Sequence, residues 1–510
     1  MMIHDTLSRE KVALEPIDPP LVRMYACGPT VYDSPHVGHA RSAVAFDVAR
    51  RYLEYKGYDV IFTRNYTDVD DKMIDRANER GINIQALARQ YIDEYEQAMA
   101  WLNVKPPVYA PRATHLIDDF VGFIQALVEN GSAYEVNGNV YFHVPAFKRY
   151  GMLSVKPEKE MADVLGRDSS DHASEKRDPR DFALWKREKE GEPSWESPWG
   201  KGRPGWHVEC SVMSMKFLGE TIDIHGGGRD LIFPHHENEI AQSESRTGKP
   251  FCKIWMHNGF VTVDKEKMSK SLDNFFTVKD VIAEIAPPAL RMFLVSAHYR
   301  NPIDFSKDLL DQATKTWERA RDAWMLLAGK VGKDMDALDQ VLLDTTMLPE
   351  SIARYLDEFE EAMDDDFSTP RALAAMHSLI RHVNATLREG SDTMDPSEES
   401  FHVNNAFKVL EVMLGVLGLD RAYIMEHAGG ALGSRGGTGA SVDPGSSVGV
   451  TAVKGVKLEP IVGYLLELRA RAREQKDWAT ADEIRNMLKD AGIGLEDAPG
   501  GGTSWKIEGT

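Results

Sequence analysis

Two hydrophobic periods alternate along the first part of the chain. Leu21 to Ala26 (LVRMYA) is a short apolar run of β-prone residues, closed by Cys27-Gly28-Pro29. It predicts a buried strand that ends in a tight turn. Ala43, Phe46, Val48, Ala49 and Leu53 follow at spacings that put them on one helical face, and Gly57 stops that helix as a C-terminal cap. Val60 to Thr63 (VIFT) reads as a second buried strand. A strand, a helix and a strand within about forty residues form a crossover unit, which pairs its strands in parallel. The opening domain is therefore expected to be α/β and doubly wound.

The pattern changes twice more. Between about Pro106 and Pro204, hairpin-like pieces (Ala133 to Val144) and a polar, charged stretch (Lys156 to Arg180) read as an insertion. Strand-like runs return at Thr221 to Ile224 and Cys252 to Met256, where the first domain resumes. After about Asp308 the spacing is helical throughout, as in a helix bundle. Leu309, Ala313, Trp317, Ala320 and Trp324 form an apolar stripe, and Thr369-Pro370 opens another helix as N-cap and first-turn residue. Asp364, Asp365 and Asp366 before it read as charge favourable to a helix N-terminus rather than as a metal site. Ala428 to Gly455, rich in Gly, Ser, Ala and Val, reads as a flexible linker. A small unit follows, with a helix over about Glu459 to Glu474, Trp478, a second helix to about Ala491 and a tail through Trp505. The expected divisions are 1–105 and 205–307 for the two halves of the α/β domain, 106–204 for the insertion, 308–427 for the bundle, 428–455 for the linker and 456–510 for the last unit.

Composition narrows the classes. The chain has 510 residues, of which 42% are hydrophobic and 27% charged, which excludes wholesale disorder. Its net charge of −20 argues against coating nucleic acid by bulk electrostatics, but leaves room for local basic patches that grip one folded RNA. Three cysteines exclude a disulfide scaffold. The first residues hold no apolar core of signal-peptide length, and no run approaches the roughly 20 residues that span a bilayer. A cytoplasmic, reducing compartment and no membrane partner are expected.

Three groups of residues carry chemistry. His36 and His39 lie in Pro35-His36-Val37-Gly38-His39, between a strand and a helix. Two imidazoles beside the outward N–H groups of a helix start suit a phosphate; a metal or a plain loop is the competing reading. Lys267-Met268-Ser269-Lys270-Ser271 concentrates lysines and hydroxyls, which wrap a polyphosphate or lie as a solvated loop. Cys27, Cys210, His235 and Glu239 supply two thiolates, an imidazole and a carboxylate, a set that fits zinc in type and number. His235 and Glu239 are four apart and share a helical face. His236 and Glu237 are competing donors, read as pointing elsewhere on that helix. Cys252, in a strand-like run without donor neighbours, reads as a small buried hydrophobe.

The HxGH motif and the distant KMSKS, framing one α/β domain, resemble the two signatures of class I aminoacyl-tRNA synthetases. The likeness becomes closer with Cys27-Gly28-Pro29-Thr30-Val31-Tyr32, Thr67-Asp68-Val69-Asp70-Asp71-Lys72, Gly205-Trp206-His207-Val208-Glu209-Cys210-Ser211, Gly226-Gly227-Gly228-Arg229-Asp230-Leu231 and Pro234-His235-His236-Glu237-Asn238-Glu239. Asp364-Asp365-Asp366-Phe367 and Lys476-Asp477-Trp478-Ala479 extend it. Together they resemble the cysteinyl-tRNA synthetase family over nearly the whole chain. Asp273, where the family usually has Gly after KMSKSL, and Tyr66, where a small aliphatic is usual, depart from the pattern.

The resemblance implies a multidomain α/β protein: a Rossmann-like class I catalytic domain with an insertion, a helical bundle that binds tRNA, and a small anticodon-binding domain. It implies one Zn2+ per chain at the floor of the amino-acid pocket, held by Cys27, Cys210, His235 and Glu239, with the substrate thiolate on the metal. Trp206 would wall that pocket, and Gly28 and Thr67 would help place the amino acid. His36 and His39 would contact the ATP phosphates, with Mg2+ accompanying the nucleotide. Lys267 and Lys270 would stabilise the departing pyrophosphate. Gly226, Gly227 and Gly228 would approach the adenosine, with Asp230 near the ribose. Arg473, Trp478, Asp482 and Asp497 match positions that read the anticodon loop of tRNA(Cys). The implied activity is activation of L-cysteine with ATP and transfer to the 3′ end of tRNA(Cys), by a monomer without an editing domain. A ligase that couples cysteine to an amino sugar, and a non-catalytic RNA-binding relative, are the alternatives. The region after Asp308 argues against the first and the intact motifs against the second.

Overall fold

The computed structural model describes residues 1–167, 174–263, 266–267, 275–332, 345–389, 395–428, 493–497 and 503–507, with Leu466, Arg469, Arg485 and Leu488 between them. Two units are distinguished, residues 1–433 and 434–510, and their boundary falls inside the expected linker.

The first unit opens on an antiparallel hairpin of β1 (Met2–Asp5) and β2 (Glu10–Ala13). The Asp5 carboxylate holds its turn by accepting from the N–H groups of Leu7 and Ser8. The expected crossover unit follows as β3 (Leu21–Ala26), α1 (Val37–Tyr55) and β4 (Asp59–Arg64), with β3 and β4 parallel. Ala43, Phe46, Val48, Ala49 and Leu53 are all buried. α2 (Asp71–Arg80), α3 (Ile84–Trp101) and α4 (Ile117–Glu129) lead to the inserted region. There β5 (Ala133–Val136), β6 (Asn139–Phe142), β7 (Phe182–Arg187) and β8 (Gly202–Pro204) form an antiparallel sheet in chain order, with α5 (Glu158–Arg167) inside the polar stretch.

The α/β fold resumes with α6 (Trp206–Leu218), β9 (Ile222–Gly228), α7 (Glu237–Thr247) and β10 (Cys252–Asn258). The central sheet has the order β10-β9-β3-β4, and every pair in it is parallel. The chain steps from β3 to one side for β4 and returns on the other side with β9. In an open parallel sheet, that reversal leaves a crevice beyond the carboxyl ends of the strands, where ligands bind.

Next come β11 (Val261–Val263), β12 (Glu266–Lys267), α8 (Val278–Glu284), α9 (Pro287–Ser296) and β13 (Ile303–Asp304), whose strands form a small sheet of order β12-β11-β13. The helical region consists of α10 (Lys307–Val331), α11 (Glu350–Asp364), α12 (Thr369–Glu389), α13 (Pro396–Val416) and α14 (Arg421–Ala428). Its stripe differs from expectation at one residue. Leu309 is 37% exposed, and Leu310, at 7%, is the buried member. At 3.6 residues per turn the two leucines lie about 50° to either side of the stripe, so spacing does not choose between them; the side covered by packing does.

Asp366 also departs from expectation. It is fully buried and accepts from His4 N (2.9 Å), Tyr299 OH (2.7 Å) and Arg300 Nε (2.6 Å). It ties the junction between α11 and α12 to β1 and to the segment after α9 rather than merely complementing a helix terminus.

In the second unit β14 (Ile493–Asp497) and β15 (Thr503–Ile507) pair as an antiparallel hairpin where a plain tail was expected. Leu466, Arg469, Arg485 and Leu488 are helical. Arg473, Trp478 and Asp482 lie outside the described residues; Asp497 closes β14, opposite Thr503. No helix among the described residues is long and apolar enough to cross a membrane.

Candidate active site

The crevice at the carboxyl ends of the central strands holds a cavity of about 310 Å³. Cys27, His36, His39, Trp206, Gly228 and Asp230 line it, together with Gly28, Arg64, Lys72 and Tyr95. The loop after β3 reaches it because Gly28 lies tight against the loop after β4. Gly28 N donates to Asn65 Oδ1 (2.8 Å), and a Cβ on Gly28 would stand 1.7 Å from the Asn65 carbonyl oxygen. Gly226, paired with Ala26, has a similar constraint, since a Cβ there would meet the Met256 carbonyl oxygen at 1.8 Å. Of the glycine run, Gly228 lines the cavity, whereas Gly226 and Gly227 are packed against β10 and the following turn.

His36 and His39 form the start of α1. His36 is the N-cap, and the two residues cap each other, each Nδ1 accepting from the other's backbone N–H at 3.3 Å. Their rings stack with centroids 3.7 Å apart. Burial, and then the neighbouring His36, push His39 well below the usual histidine range, so it is a neutral imidazole. The motif therefore presents a helix N-terminus to the cavity, which suits a phosphate.

Lys267 ends β12, antiparallel to β11 (Thr262 opposite Lys267). Its side chain, and Met268 to Asn274 with Lys270 and Asp273, lie outside the described residues. The chain after them returns to the histidine motif. Val37 N donates to Phe276 O (3.1 Å), and Val278 N to Pro35 O (2.9 Å). The Phe275 ring meets the His36 ring edge-on at 5.0 Å. The segment that begins at Phe275 is thus anchored to the histidine motif, although some 240 residues separate them in sequence.

Where Cys27 and Trp206 line the cavity, a cluster of donors lies behind them. Cys27 follows β3, Cys210 lies on α6, His235 precedes α7 and Glu239 is on α7. One donor atom from each lies within 4.8 Å of all the others. Cys27 Sγ is 3.3 Å from Cys210 Sγ and 3.4 Å from Glu239 Oε1, and His235 Nε2 is 2.9 Å from Glu239 Oε1. Donors around a tetrahedral zinc stand about 3.3–3.8 Å apart, given bonds of 2.0–2.3 Å, so these residues fit the ion after small shifts. Trp206 stacks on His235 with centroids 4.3 Å apart, and His207 Nδ1 holds His235 Nδ1 at 3.1 Å, leaving Nε2 as the ligand atom.

The charges agree with that reading. Burial opposes ionisation of Cys210, but the proton shared from Cys27 and the adjacent His235 bring its thiol down to about 6. Burial and the bond to Cys210 push Cys27 well up. His235 is raised to about 10 against its burial, by Glu239 and then Cys210, while His225 and His235 hold buried Glu239 well below the carboxylate range. The protons kept on His235 and Cys27 are those that a divalent cation displaces on binding.

A second group shares Cys27 and Glu239 and adds His225 and His236. His236 Nε2 is 3.3 Å from Cys27 Sγ, so the expectation that it points away from the cluster is overturned; the turn before α7 is not regular helix, and Phe233 is extended. Glu237 does point away, accepting from Gly151 N and Ser154 N. His225 Nε2 lies 3.1 Å from Glu239 Oε2, and His236 Nδ1 2.7 Å from His257 Nε2. The signal that could have found His225 and His257 is a histidine inside an otherwise apolar strand run. Thr67 is buried, and its hydroxyl donates to Glu209 Oε2 (2.6 Å) rather than lining the cavity. Burial drives Glu209 well above the carboxylate range. Cys252 is buried in β10, as expected.

Residues 13–315 match the tRNA synthetases class I (C) catalytic domain, 358–419 the DALR domain and 457–505 the cysteinyl-tRNA ligase anticodon binding domain. A cysteine–tRNA ligase of Pelotomaculum thermopropionicum is 44% identical over 100% of both chains, and one of Heliobacterium modesticaldum is 44% identical over 99% of each. Among solved structures, Mycobacterium tuberculosis methionyl-tRNA synthetase in complex with methionyl-adenylate superposes with a TM-score of 0.59 at 17% identity, covering 80% of this chain and 92% of that one. That likeness speaks for the fold alone. A switch-point cavity lined by the HxGH histidines, within a match to the class I catalytic domain over 13–315, defines a class I aminoacyl-tRNA synthetase. The full-length identities are narrower, and the chain belongs to the cysteine–tRNA ligase family. It is an ATP-dependent ligase that activates L-cysteine and joins it to tRNA(Cys).

Proposed function

We propose that Cys27, Cys210, His235 and Glu239 hold one zinc ion and that this site selects the amino acid. The convergence of four donors of zinc type, three of them buried and the fourth, Cys27, lining the cavity, carries the reading. When bound there, zinc supplies a soft Lewis acid that favours the substrate's thiolate over a serine hydroxyl. Shape alone would discriminate two such similar side chains by only about 1–3 kcal/mol, so a metal bond removes the need for an editing domain.

The protein's own groups do the rest. Trp206 closes the wall over the amino acid, and Gly28 brings backbone close to it. Thr67 acts through its bond to Glu209. His36, His39 and the α1 N-terminus receive the ATP phosphates, which arrive with Mg2+. The substrate carboxylate attacks the α-phosphate in line, the bond to pyrophosphate breaks, and Lys267 and Lys270 neutralise the leaving group. Gly228 and Asp230 position the adenosine, with Gly226 and Gly227 setting the close-packed end of β9 that carries them. The acyl group then passes to the terminal ribose of tRNA(Cys). Arg473, Trp478, Asp482 and Asp497 read its anticodon by stacking and hydrogen bonding to unpaired bases. The enzyme works as a cytoplasmic monomer. The family match at 457–505 favours tRNA over an amino-sugar acceptor.

Amino-acid-dependent ATP–pyrophosphate exchange across all twenty amino acids tests this. Exchange with cysteine alone is expected, and Cys210→Ser should lose zinc and raise KM for cysteine at least tenfold with the fold retained. Full zinc content or an unchanged KM in that variant would remove the metal from selection.

A further inference from the structure

A second cavity of about 510 Å³ lies beside the first. Arg9, Arg229, Arg300, His4 and His257 line it, with Phe260 as its aromatic face and no carboxylate among its described lining residues. It adjoins the active-site cavity directly, since Phe260 lines both, and Arg229 lies between Gly228 and Asp230 of the first. Arg300 is fixed by its Nε bond to buried Asp366 (2.6 Å). Arg9 is held in the left-handed region (φ 63°) by the β1–β2 turn, its N–H bonded to Asp5 O (2.8 Å). Among the described residues, neither Arg9 nor Arg229 makes a side-chain hydrogen bond or ion pair, and both are exposed at the rim.

Such a concentration of positive charge is not typical of this molecule, whose net charge is −20. Two guanidinium groups with no carboxylate partner among the described residues, Arg9 and Arg229, beside a third held by Asp366 favour a phosphate, which a planar fork of N–H donors binds well. An aromatic face beside them suits the base or sugar of the same nucleotide. We propose that this cavity is a nucleotide-phosphate site that takes a backbone phosphate of the tRNA. A free mononucleotide shares the chemistry; the open rim, with its two exposed arginines, favours a continuous strand that passes over it. The inference rests on the proposed tRNA charging and adds where an acidic protein attracts its polyanion near the reacting centre.

The test uses the full-length Arg9→Ala/Arg229→Ala double variant, with Arg9→Glu as a second variant. Cysteine-dependent pyrophosphate exchange should stay within about twofold of wild type. The Kd for tRNA(Cys) should rise about 5–20-fold, and the slope of log Kd against log salt should fall by about 1 for each phosphate that the variant no longer neutralises. AMP titrated onto wild-type enzyme whose active site is filled with a cysteinyl-adenylate analogue separates the sources. AMP binding that the variants abolish assigns the site to a free nucleotide and overturns the tRNA assignment. Unchanged tRNA affinity and salt slope also overturn it, as does an equal loss of exchange and tRNA binding. A wild type that exchanges pyrophosphate but charges no tRNA would instead refute the tRNA reading beneath it.

Discussion

At the scale of single residues, the candidate site depends on close approach as much as on reactive groups. Gly28 carries no chemistry, yet a methyl there would stand 1.7 Å from the Asn65 carbonyl oxygen. Gly28→Ala must therefore separate the loops after β3 and β4, at a cost of about 1–3 kcal/mol. The expected result is a lower urea midpoint and a higher KM for cysteine in pyrophosphate exchange, because Cys27 is the adjacent residue. An unchanged midpoint would mean that the loops separate freely. The four donors and the paired histidines were legible because each sits in a motif of unusual composition. His225, His236 and His257 were not. The first and last are in strands, where only the partner strand decides what a side chain faces. His236 sits in an irregular turn, where regular helical spacing misplaces its ring.

At the scale of elements, one buried ion-pair network locks several together. Arg291 on α9 donates to Leu417 O and Leu102 O, at 2.6 Å each, and to Asp47 on α1, which also accepts from Arg51 Nε (2.8 Å) and Lys105 N (2.8 Å). Asp47 and Arg291 are essentially inaccessible to solvent. Removing one partner of such a pair leaves a buried charge, so Arg291→Met should cost about 3–5 kcal/mol in chemical denaturation. Burial opposes the charge on Asp47, but Arg291 and then Arg51 prevail and hold it below its ordinary 3.8. Because the folded-state value is depressed, the unfolded chain takes up this proton first as pH falls. The network's contribution is therefore complete above about pH 4 and is lost as pH drops through the folded-state value. Asp47→Asn should flatten the dependence of stability on pH below about 4 and leave it unchanged between 5 and 8; the same acid slope in both proteins would exclude Asp47. The strands and helices around this network were legible from their periods, since each buries one face or both. The sheet order β10-β9-β3-β4 and the choice between Leu309 and Leu310 were not, because both are set by what packs alongside.

At the scale of the whole molecule, composition and function pull in opposite directions. A chain with a net charge of −20 repels RNA at long range, so recognition must rest on local contacts with defined geometry. All the described residues of the candidate active site lie within residues 1–433, and the anticodon-domain match, 457–505, lies entirely within 434–510. Among the described residues, the hydrophobic core of the first unit draws on residues up to Ile424. Ending the chain after Gly455 should accordingly leave pyrophosphate exchange within about twofold of the full-length enzyme. Charging should suffer far more. Each base stacked on an aromatic side chain is worth about 1–3 kcal/mol, so removing two such stacks lowers kcat/KM for tRNA by about 30-fold to more than 10³-fold. Trp478→Ala alone should reproduce one such step without altering exchange. The two assays on the same preparation decide the matter: exchange and charging that fall in parallel would mean that the last unit supports the fold of the first rather than the selection of its tRNA.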